Sequence, residues 1–238
     1  MAVFVISDLH LATADLDKSM EVFGNRWKDY IQKIKNNWSK VVTDNDTVIV
    51  PGDISWGLTA EEALQDLLFL DSLPGKKIIL KGNHDFWWTT LTKLDKLFKE
   101  HNITTVFPLQ NKAVEVENYI VAGSRGWFTD KSMQPADENA EYDKIVNREA
   151  LRLEMSLKEA AAIKEITGKE ILVFMHFPAV WSDLKCTPIL NVLKKYDIHT
   201  CYFGHIHGVY SVPETIRHDF IDFKLISADY IDFLPRII

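Results

Sequence analysis

The chain has 238 residues, 47% of them hydrophobic and 26% charged, a balance typical of a globular protein with a sizeable core. Its formal net charge of −7 argues against a general nucleic-acid or membrane surface, because polyanionic partners attract basic faces. No apolar stretch approaches the ~20 residues of a membrane span, and no signal-peptide pattern is present. We therefore expect a single soluble domain over residues 1–238.

The first half of the chain alternates between apolar runs that predict buried strands and amphipathic runs that predict helices. In chain order they are a strand at 3–6, a helix at about 25–42, a strand at 46–50, a helix at 59–73, a strand at 77–80 and a helix from about 90 to 102. The helix at 59–73 starts at a capping-box pattern, Thr59-Ala60-Glu61-Glu62. Such alternation is typical of βαβ units.

The second half begins with a short predicted strand at 103–106 and a hairpin around Glu117-Asn118. A helical run from about 138 to 167 follows, long enough for two helices, and Gly168 suits its end. The remaining predicted elements are a strand at 171–175, a helix at 188–196, a strand at 198–203 and strand-like runs at 209–212, 216–221 and 223–227.

The two cysteines, Cys186 and Cys201, form neither a CxxC pair nor a disulfide-rich pattern. Cys201 lies in an apolar run and is expected to be a small buried residue. A disulfide between the two stays open, but a reducing compartment is the simpler interpretation. The expected location is therefore the cytoplasm.

Side chains of the kind that bind metals follow five predicted strands: Asp8 and His10, Asp53, Asn83 and His84, His176, and His205 and His207. In a βαβ layout the loops after parallel strands meet at one edge of a sheet, where ligands bind. One such residue would be an ordinary polar turn. Five strand ends with this chemistry and flanking glycines are improbable by chance, so we expect one shared site.

The side-chain types restrict the ligand of this site. Carboxylates, an amide oxygen and imidazoles, without cysteine, suit divalent Mn, Fe, Zn or Co. The number of candidate ligands is too large for one ion and suits two ions that share a carboxylate. Two ions ~3.5–4 Å apart hold a phosphoryl oxygen and activate water for in-line displacement.

Together these blocks resemble the calcineurin-like metallophosphoesterase superfamily. The matching motifs are Asp8-x-His10, Gly52-Asp53, Gly82-Asn83-His84-Asp85, His176 and Gly204-His205-x-His207, in the family's order. The resemblance implies an α/β fold, a four-layer α/β/β/α sandwich of two mixed sheets flanked by helices. It also implies a metal-dependent phosphoesterase with two divalent metal ions, Mn, Fe or Zn.

The resemblance further implies a role for each matching residue. The metal ligands form two sets that share one bridging carboxylate: Asp8, His10 and His207 for the first ion, Asn83, His176 and His205 for the second, and Asp53 between them. A hydroxide shared by the metals would attack the phosphorus. His84 would protonate the leaving oxygen, and Asp85 would orient His84.

The leading hypothesis is hydrolysis of a small phosphomonoester or phosphodiester, with no general nucleic-acid or membrane partner. The alternatives are a nuclease, a protein phosphatase and a metal-stabilised scaffold without activity. The acidic net charge counts against the nuclease, and the intact pair His84–Asp85 counts against the scaffold. The sequence leaves the choice of monoester or diester, the native metal and the oligomeric state open.

Candidate substrate-binding residues lie in the loops beside the motifs. Trp56 and Trp127 would either line the mouth of the site or pack its rim. Arg125 would either contact a phosphate or make a structural ion pair. Arg148 and Lys185 are weaker candidates.

Overall fold

The computed structural model describes residues 1–14, 18–135 and 141–238. The strands of its first sheet are β1 (Val3–Val5), β2 (Thr47–Pro51), β3 (Lys76–Leu80), β4 (Val106–Pro108) and β13 (Arg236–Ile237). Their order is β13-β1-β2-β3-β4. Strands β1 to β4 are parallel and β13 is antiparallel to β1, so the carboxyl ends of β1, β2 and β3 lie at one edge.

The strands of the second sheet are β5 (Ala113–Val116), β6 (Tyr119–Ser124), β7 (Glu170–Met175), β10 (Thr200–Phe203), β11 (Thr215–His218) and β12 (Ile221–Leu225). Their order is β11-β12-β10-β7-β6-β5. The four central strands are parallel, and the two outer strands pair antiparallel with their neighbours. A small hairpin joins β8 (Val180–Trp181) to β9 (Leu184–Lys185).

The helices are α1 (Tyr30–Val41), α2 (Leu64–Ser72), α3 (Leu91–Glu100), α4 (Tyr142–Thr167) and α5 (Thr187–Lys195). Helices α1 to α3 share a hydrophobic core with the outer face of the first sheet. Helices α4 and α5 do the same with the second sheet. Among the helices of the described residues, none is long and apolar enough to cross a membrane.

A third core lies between the two sheets and completes the four layers. Successive side chains of a strand point to opposite faces. Val5 therefore packs in the core between the sheets while Phe4 packs against the helices. In β7, Phe174 faces the other sheet, and its ring stacks on that of Tyr202 at 5.0 Å. Strand β1 and residues 171–175 of β7 are apolar without a break because both of their faces are buried. The predicted α/β/β/α sandwich is confirmed.

Several predicted boundaries are wrong for local reasons. Helix α1 begins at Tyr30 rather than near residue 25, because Asp29 has a left-handed φ of 54°. The amide of Glu62 does donate to Oγ1 of Thr59 at 3.2 Å, as in a capping box, but the α-helix starts only at Leu64. The strand predicted at 103–106 is instead β4, at Val106–Pro108.

The long helical run forms one helix, α4, which ends at Gly168 with a left-handed φ of 70°. Its predicted start near residue 138 lies outside the described residues. The strand expected at 209–212 is absent from this part of the described chain, which follows a turn at Gly208 with a φ of 71°. Cys186 and Cys201 are both buried free thiols, which agrees with the prediction for Cys201.

Candidate metal centre

All seven expected metal ligands lie together at the carboxyl ends of five strands. The strands before them are β1, β2 and β3 of the first sheet and β7 and β10 of the second. Since the two sheets pack face to face, the loops after these strands meet above the core between the sheets. The topology alone therefore brings residues separated by up to 199 positions, from Asp8 to His207, into one cluster.

The first set of ligands consists of Asp8, His10 and His207. The Nε2 atoms of His10 and His207 lie 3.2 Å apart. Oδ1 of Asp8 lies 3.4 Å from Nε2 of His207. One ligand atom from each of the three residues falls within 4.8 Å of the others, which is the spacing of a group that can surround one ion.

The second set consists of Asn83, His176 and His205. Oδ1 of Asn83 lies 2.6 Å from Nε2 of His176 and 3.0 Å from Nδ1 of His205. An amide oxygen and two imidazole nitrogens that converge in this way suit a borderline divalent cation.

Asp53 lies between the two sets. Its Oδ2 atom is 3.6 Å from Nε2 of His10, in the first set, and 3.3 Å from Nε2 of His176, in the second. Its Oδ1 atom accepts the backbone N–H of His84 at 2.8 Å. A single buried carboxylate oxygen therefore faces both sets, which is the position of a ligand that two ions share.

The electrostatics of three of the ligands suit metal binding. Burial opposes ionisation of Asp8, but its hydrogen bond with His207 and the charges of His207 and His176 lower its pKa to about 2. Burial lowers the pKa of His10 to about 4 and that of His205 to about 3. The carboxylate is then ionised and these imidazoles are neutral, which are the forms that bind metals.

The charges of the buried carboxylates support the same conclusion. Asp8 and Asp53 are both buried, and the charge of Asp53 opposes ionisation of Asp8. Buried like charges are costly without a counter-ion. Divalent cations held by the oxygen and Nε2 or Nδ1 atoms named above would balance this charge, so the two sets of residues fit two metal ions.

The backbone at the cluster is strained. Four of the seven ligands have a left-handed φ: Asp8 (60°), His10 (44°), Asp53 (51°) and His205 (67°). Such conformations cost of order 1–3 kcal/mol each and collect at functional sites. Gly82 and Gly204 permit the close approach of these loops. A Cβ atom on Gly82 would overlap Asp53, and one on Gly204 would overlap Asp8.

A sequence model of the calcineurin-like phosphoesterase family matches residues 1–209. The chain belongs to the calcineurin-like phosphoesterase family. This phosphoesterase is thus a metal-dependent hydrolase of phosphate esters, and the family that the motifs predicted is confirmed. No curated protein matches the chain.

Solved structures show the same fold at low sequence identity. The phosphopantetheinyl hydrolase from Mycobacterium tuberculosis is similar with a TM-score of 0.50 and 16% identity, over 100% of this phosphoesterase and 95% of that chain. A protein from Thermus thermophilus is similar with a TM-score of 0.53 and 11% identity, over 96% of this phosphoesterase and 89% of that chain. At such identities the likeness concerns the fold alone.

The sequence analysis did not predict a role for one important residue, Asp229. Its buried carboxylate accepts hydrogen bonds from Nδ1 of His207 at 2.8 Å, the amide of Gly208 at 3.0 Å and the hydroxyl of Tyr210 at 3.1 Å. Burial opposes the charge on His207, but its bonds to Asp229 and Asp8 raise its pKa to about 10. Asp229 keeps one proton on Nδ1 of His207. A cation that binds at Nε2 of His207 would therefore displace the second proton of the ring. The feature of the sequence that could have indicated Asp229 was its position shortly after strand β12.

Replacing Asp229 by asparagine is expected to weaken metal binding by about 10–100-fold, because the amide no longer fixes the tautomer of His207. Competition with a chelator of known affinity measures the change. Asp183→Asn removes the same charge from an exposed position and serves as the matched control. Equal metal affinity in both variants would contradict this role of Asp229.

His84 lies beside the metal ligands without joining them. Its ring centroid is 5.6 Å from that of His10 and 4.4 Å from that of Trp56. Burial lowers its pKa. Its ring makes no hydrogen bond to the residues that the structure describes, and it faces an aromatic cavity of about 330 Å³ that Phe23 and Tyr210 help to line. The imidazole is therefore free to reach a bound molecule.

Asp85 was expected to orient His84, but its contacts are different. Oδ2 accepts the amides of Asp53 and Gly82, at 2.9 and 2.8 Å. Oδ1 accepts the amides of Ile54 and Ser55 and the indole N–H of Trp87, at 2.8–3.3 Å. Burial and the charge of Asp53 raise the pKa of Asp85 to about 6. The carboxylate thus holds together the loops that carry the metal ligands, and among the described residues it makes no hydrogen bond to the ring of His84.

The three candidate substrate-binding residues have different surroundings. Trp56 stacks on His10 at 4.8 Å and covers one side of the cluster. Trp127 is buried, and its Nε1 donates to Gln134 at 2.8 Å, which agrees with the packing alternative. Arg125 pairs with Glu149 at 3.3 Å and also lines a cavity.

Proposed function

We propose that the chain hydrolyses small phosphoesters with two divalent metal ions bound at the candidate centre. The observation that carries this proposal is the position of Asp53, whose Oδ2 atom faces His10 on one side and His176 on the other. The two sets of three ligands on either side of Asp53 are complete. Asp8, His10 and His207 would hold one ion, and Asn83, His176 and His205 would hold the other.

The two ions would supply Lewis acidity at the phosphoryl oxygens and lower the pKa of a water molecule. The residues of the chain supply the rest. His84 lies beside the cluster and, in its protonated form, would give a proton to the leaving oxygen. Trp56 covers His10 and His84 and keeps bulk water from that side, which strengthens the electrostatic interactions within the site.

The size of the neighbouring cavities supports a small substrate. One cavity of about 330 Å³ includes His10, His84 and His207 in its lining, and a second of about 470 Å³ begins at Lys81 and Arg125. These volumes are in the range of pockets for small molecules. The metal identity, the absence of nucleic-acid and membrane partners and the cytoplasmic location stay predictions.

The test is turnover by the purified chain reconstituted with Mn, with p-nitrophenyl phosphate and bis-p-nitrophenyl phosphate as substrates. We expect two metal ions per chain by elemental analysis and turnover of one of the two esters. Removing the metals with a chelator should abolish the activity, and adding Mn back should restore it. One ion per chain, or activity that a chelator leaves unchanged, would refute the dinuclear proposal.

A further inference from the structure

A second cavity, of about 470 Å³, lies beside the metal centre and is rich in positive charge. We name it the basic cavity. Its charged lining residues are Lys81, Arg125, Arg148, Glu149 and Arg152. Lys81 is two residues before the metal ligand Asn83. The carbonyl oxygen of Arg125 accepts the backbone N–H of His176 at 3.2 Å. The basic cavity therefore begins next to the second set of ligands.

The charges of the basic cavity do not balance. Four cationic side chains face one carboxylate, an excess of three positive charges in a chain whose net charge is −7. Oε1 of Glu149 lies 2.6, 3.3 and 3.8 Å from nitrogen atoms of Arg152, Arg125 and Arg148. One carboxylate neutralises only one of these three guanidinium charges, so the basic cavity keeps an excess of positive charge.

An unused hydrogen-bond donor accompanies this excess charge. Nε of Arg125 is buried and has no partner among the described residues, and only 17% of the Arg125 side chain is exposed. Oε2 of Glu149 is likewise unpaired there, as an acceptor that the arginines surround. The guanidinium of Arg125 lies 4.6 Å from the centre of the Trp127 ring, which holds it in place. Burial lowers the pKa of Arg125, and although Glu149 opposes this shift, Arg148 and Arg152 add to it. An oxyanion would satisfy the donor and relieve the repulsion between the arginines.

The end of a helix adds to the same wall. Thr89 and Thr90, which directly precede α3, line the basic cavity. The amino-terminal end of a helix carries a partial positive charge and unpaired backbone N–H groups, and both favour an anion.

We propose that the basic cavity binds a second phosphate group of the substrate while the metal centre acts on the scissile phosphoester. This inference rests on the proposed function and narrows its substrate to phosphoesters that carry a further phosphate. Arg125 and Arg152 supply planar donors that match phosphate oxygens in pairs, and Lys81, two residues before the ligand Asn83, supplies a point charge.

The first test is the amount of labelled inorganic phosphate bound by the Mn-loaded chain in equilibrium dialysis. We expect two phosphates per wild-type chain, one at the metals and one in the basic cavity. Arg152→Gln should bind one, because it removes a charge from the cavity while its amide can still donate to Glu149. Arg152→Lys should recover part of the second site. A single phosphate per wild-type chain, or two in Arg152→Gln, would overturn the proposal.

The second test compares substrates that differ only in the second phosphate. Alkanediol bisphosphates of increasing chain length are assayed against the monophosphates of the same diols. We expect the best bisphosphate to be preferred by about 10–100-fold in kcat/KM, and Arg152→Gln to reduce this ratio about tenfold. Lys158→Gln, which removes an exposed charge from the same helix, α4, should leave the ratio unchanged.

The outcomes separate this inference from the proposed function. Turnover of monophosphates and bisphosphates at equal rates would overturn the inference and leave the phosphoesterase intact. Phosphate bound in the basic cavity of a chain that hydrolyses nothing would overturn the substrate assignment together with the proposed function. Thermal melting verifies that Arg152→Gln folds. If it does not fold, Arg148→Gln replaces it, since Arg148 is 49% exposed and is the most distant of the three arginines from Glu149.

Discussion

Replacing His84 by alanine is expected to lower the turnover of phenyl phosphate by about 10²–10⁴-fold, the usual contribution of a general acid. The imidazole lies beside the metal ligands, is half-buried and makes no ring hydrogen bond among the described residues. It contributes to the ligand sets only through its backbone N–H, which donates to Asp53 and which alanine retains. The variant should therefore keep both metal ions and its stability.

The leaving group makes this test specific. Phenolate departs poorly without a proton, whereas p-nitrophenolate departs well. The loss of turnover in His84→Ala should therefore be clearly smaller with p-nitrophenyl phosphate than with phenyl phosphate. His199→Ala, which removes an exposed imidazole, serves as the control. An equal loss with both esters would show that His84 does not protonate the leaving oxygen, and unchanged turnover would remove it from the mechanism.

Replacing Asp85 by alanine is expected to lower the free energy of unfolding by about 3–5 kcal/mol. The change leaves five buried N–H donors without their acceptor, four from the backbone and one from Trp87. Unpaired buried donors cost roughly 1–3 kcal/mol each. Removing a charge that Asp53 repels offsets part of this cost, so the sum is smaller than five such penalties.

The measurement is urea unfolding of Asp85→Ala together with its metal content. Since Asp85 joins the loop after β2 to the loop after β3, we expect metal binding to weaken and activity to fall with it. Asp183→Ala is the matched control at an exposed position. A variant that stays stable, keeps both metals and loses turnover as His84→Ala does would support the original interpretation, in which Asp85 orients His84.

His84 and Asp85 are adjacent in the chain but have different surroundings. This difference shows how much of the motif Gly82-Asn83-His84-Asp85 can be interpreted from the sequence alone. The motif identified the chemistry, because an amide, an imidazole and a carboxylate at a strand end have few uses other than a site. It could not say which groups would face the metals and which would face the backbone. That depends on the approach of the loop at 52–55, which comes from another strand.

The sequence by itself determined the strands, the parallel layout of βαβ units and the seven candidate ligands. These features are local, since apolar runs and the polar residues directly after them are contiguous in the chain. Family membership follows from the same motifs. Most strands lie within a few residues of their predictions, because runs that are buried on both faces have an unmistakable composition.

Only the tertiary structure decided the surroundings of these residues. Asp229 is hydrogen-bonded to His207, which lies 22 positions earlier in the chain. Glu149, in α4, is hydrogen-bonded to Arg125, which lies 24 positions earlier. Neither carboxylate carries a local signature, because each gains its role from a partner that another element delivers. The basic cavity has the same origin, since its cations lie on β3, β6 and α4 or directly after them. Hydrogen bonds and charges act between residues that are close in space, whatever their distance in the chain. The sequence therefore identifies the candidate ligands, and the packing of the two sheets decides which groups contact each of them.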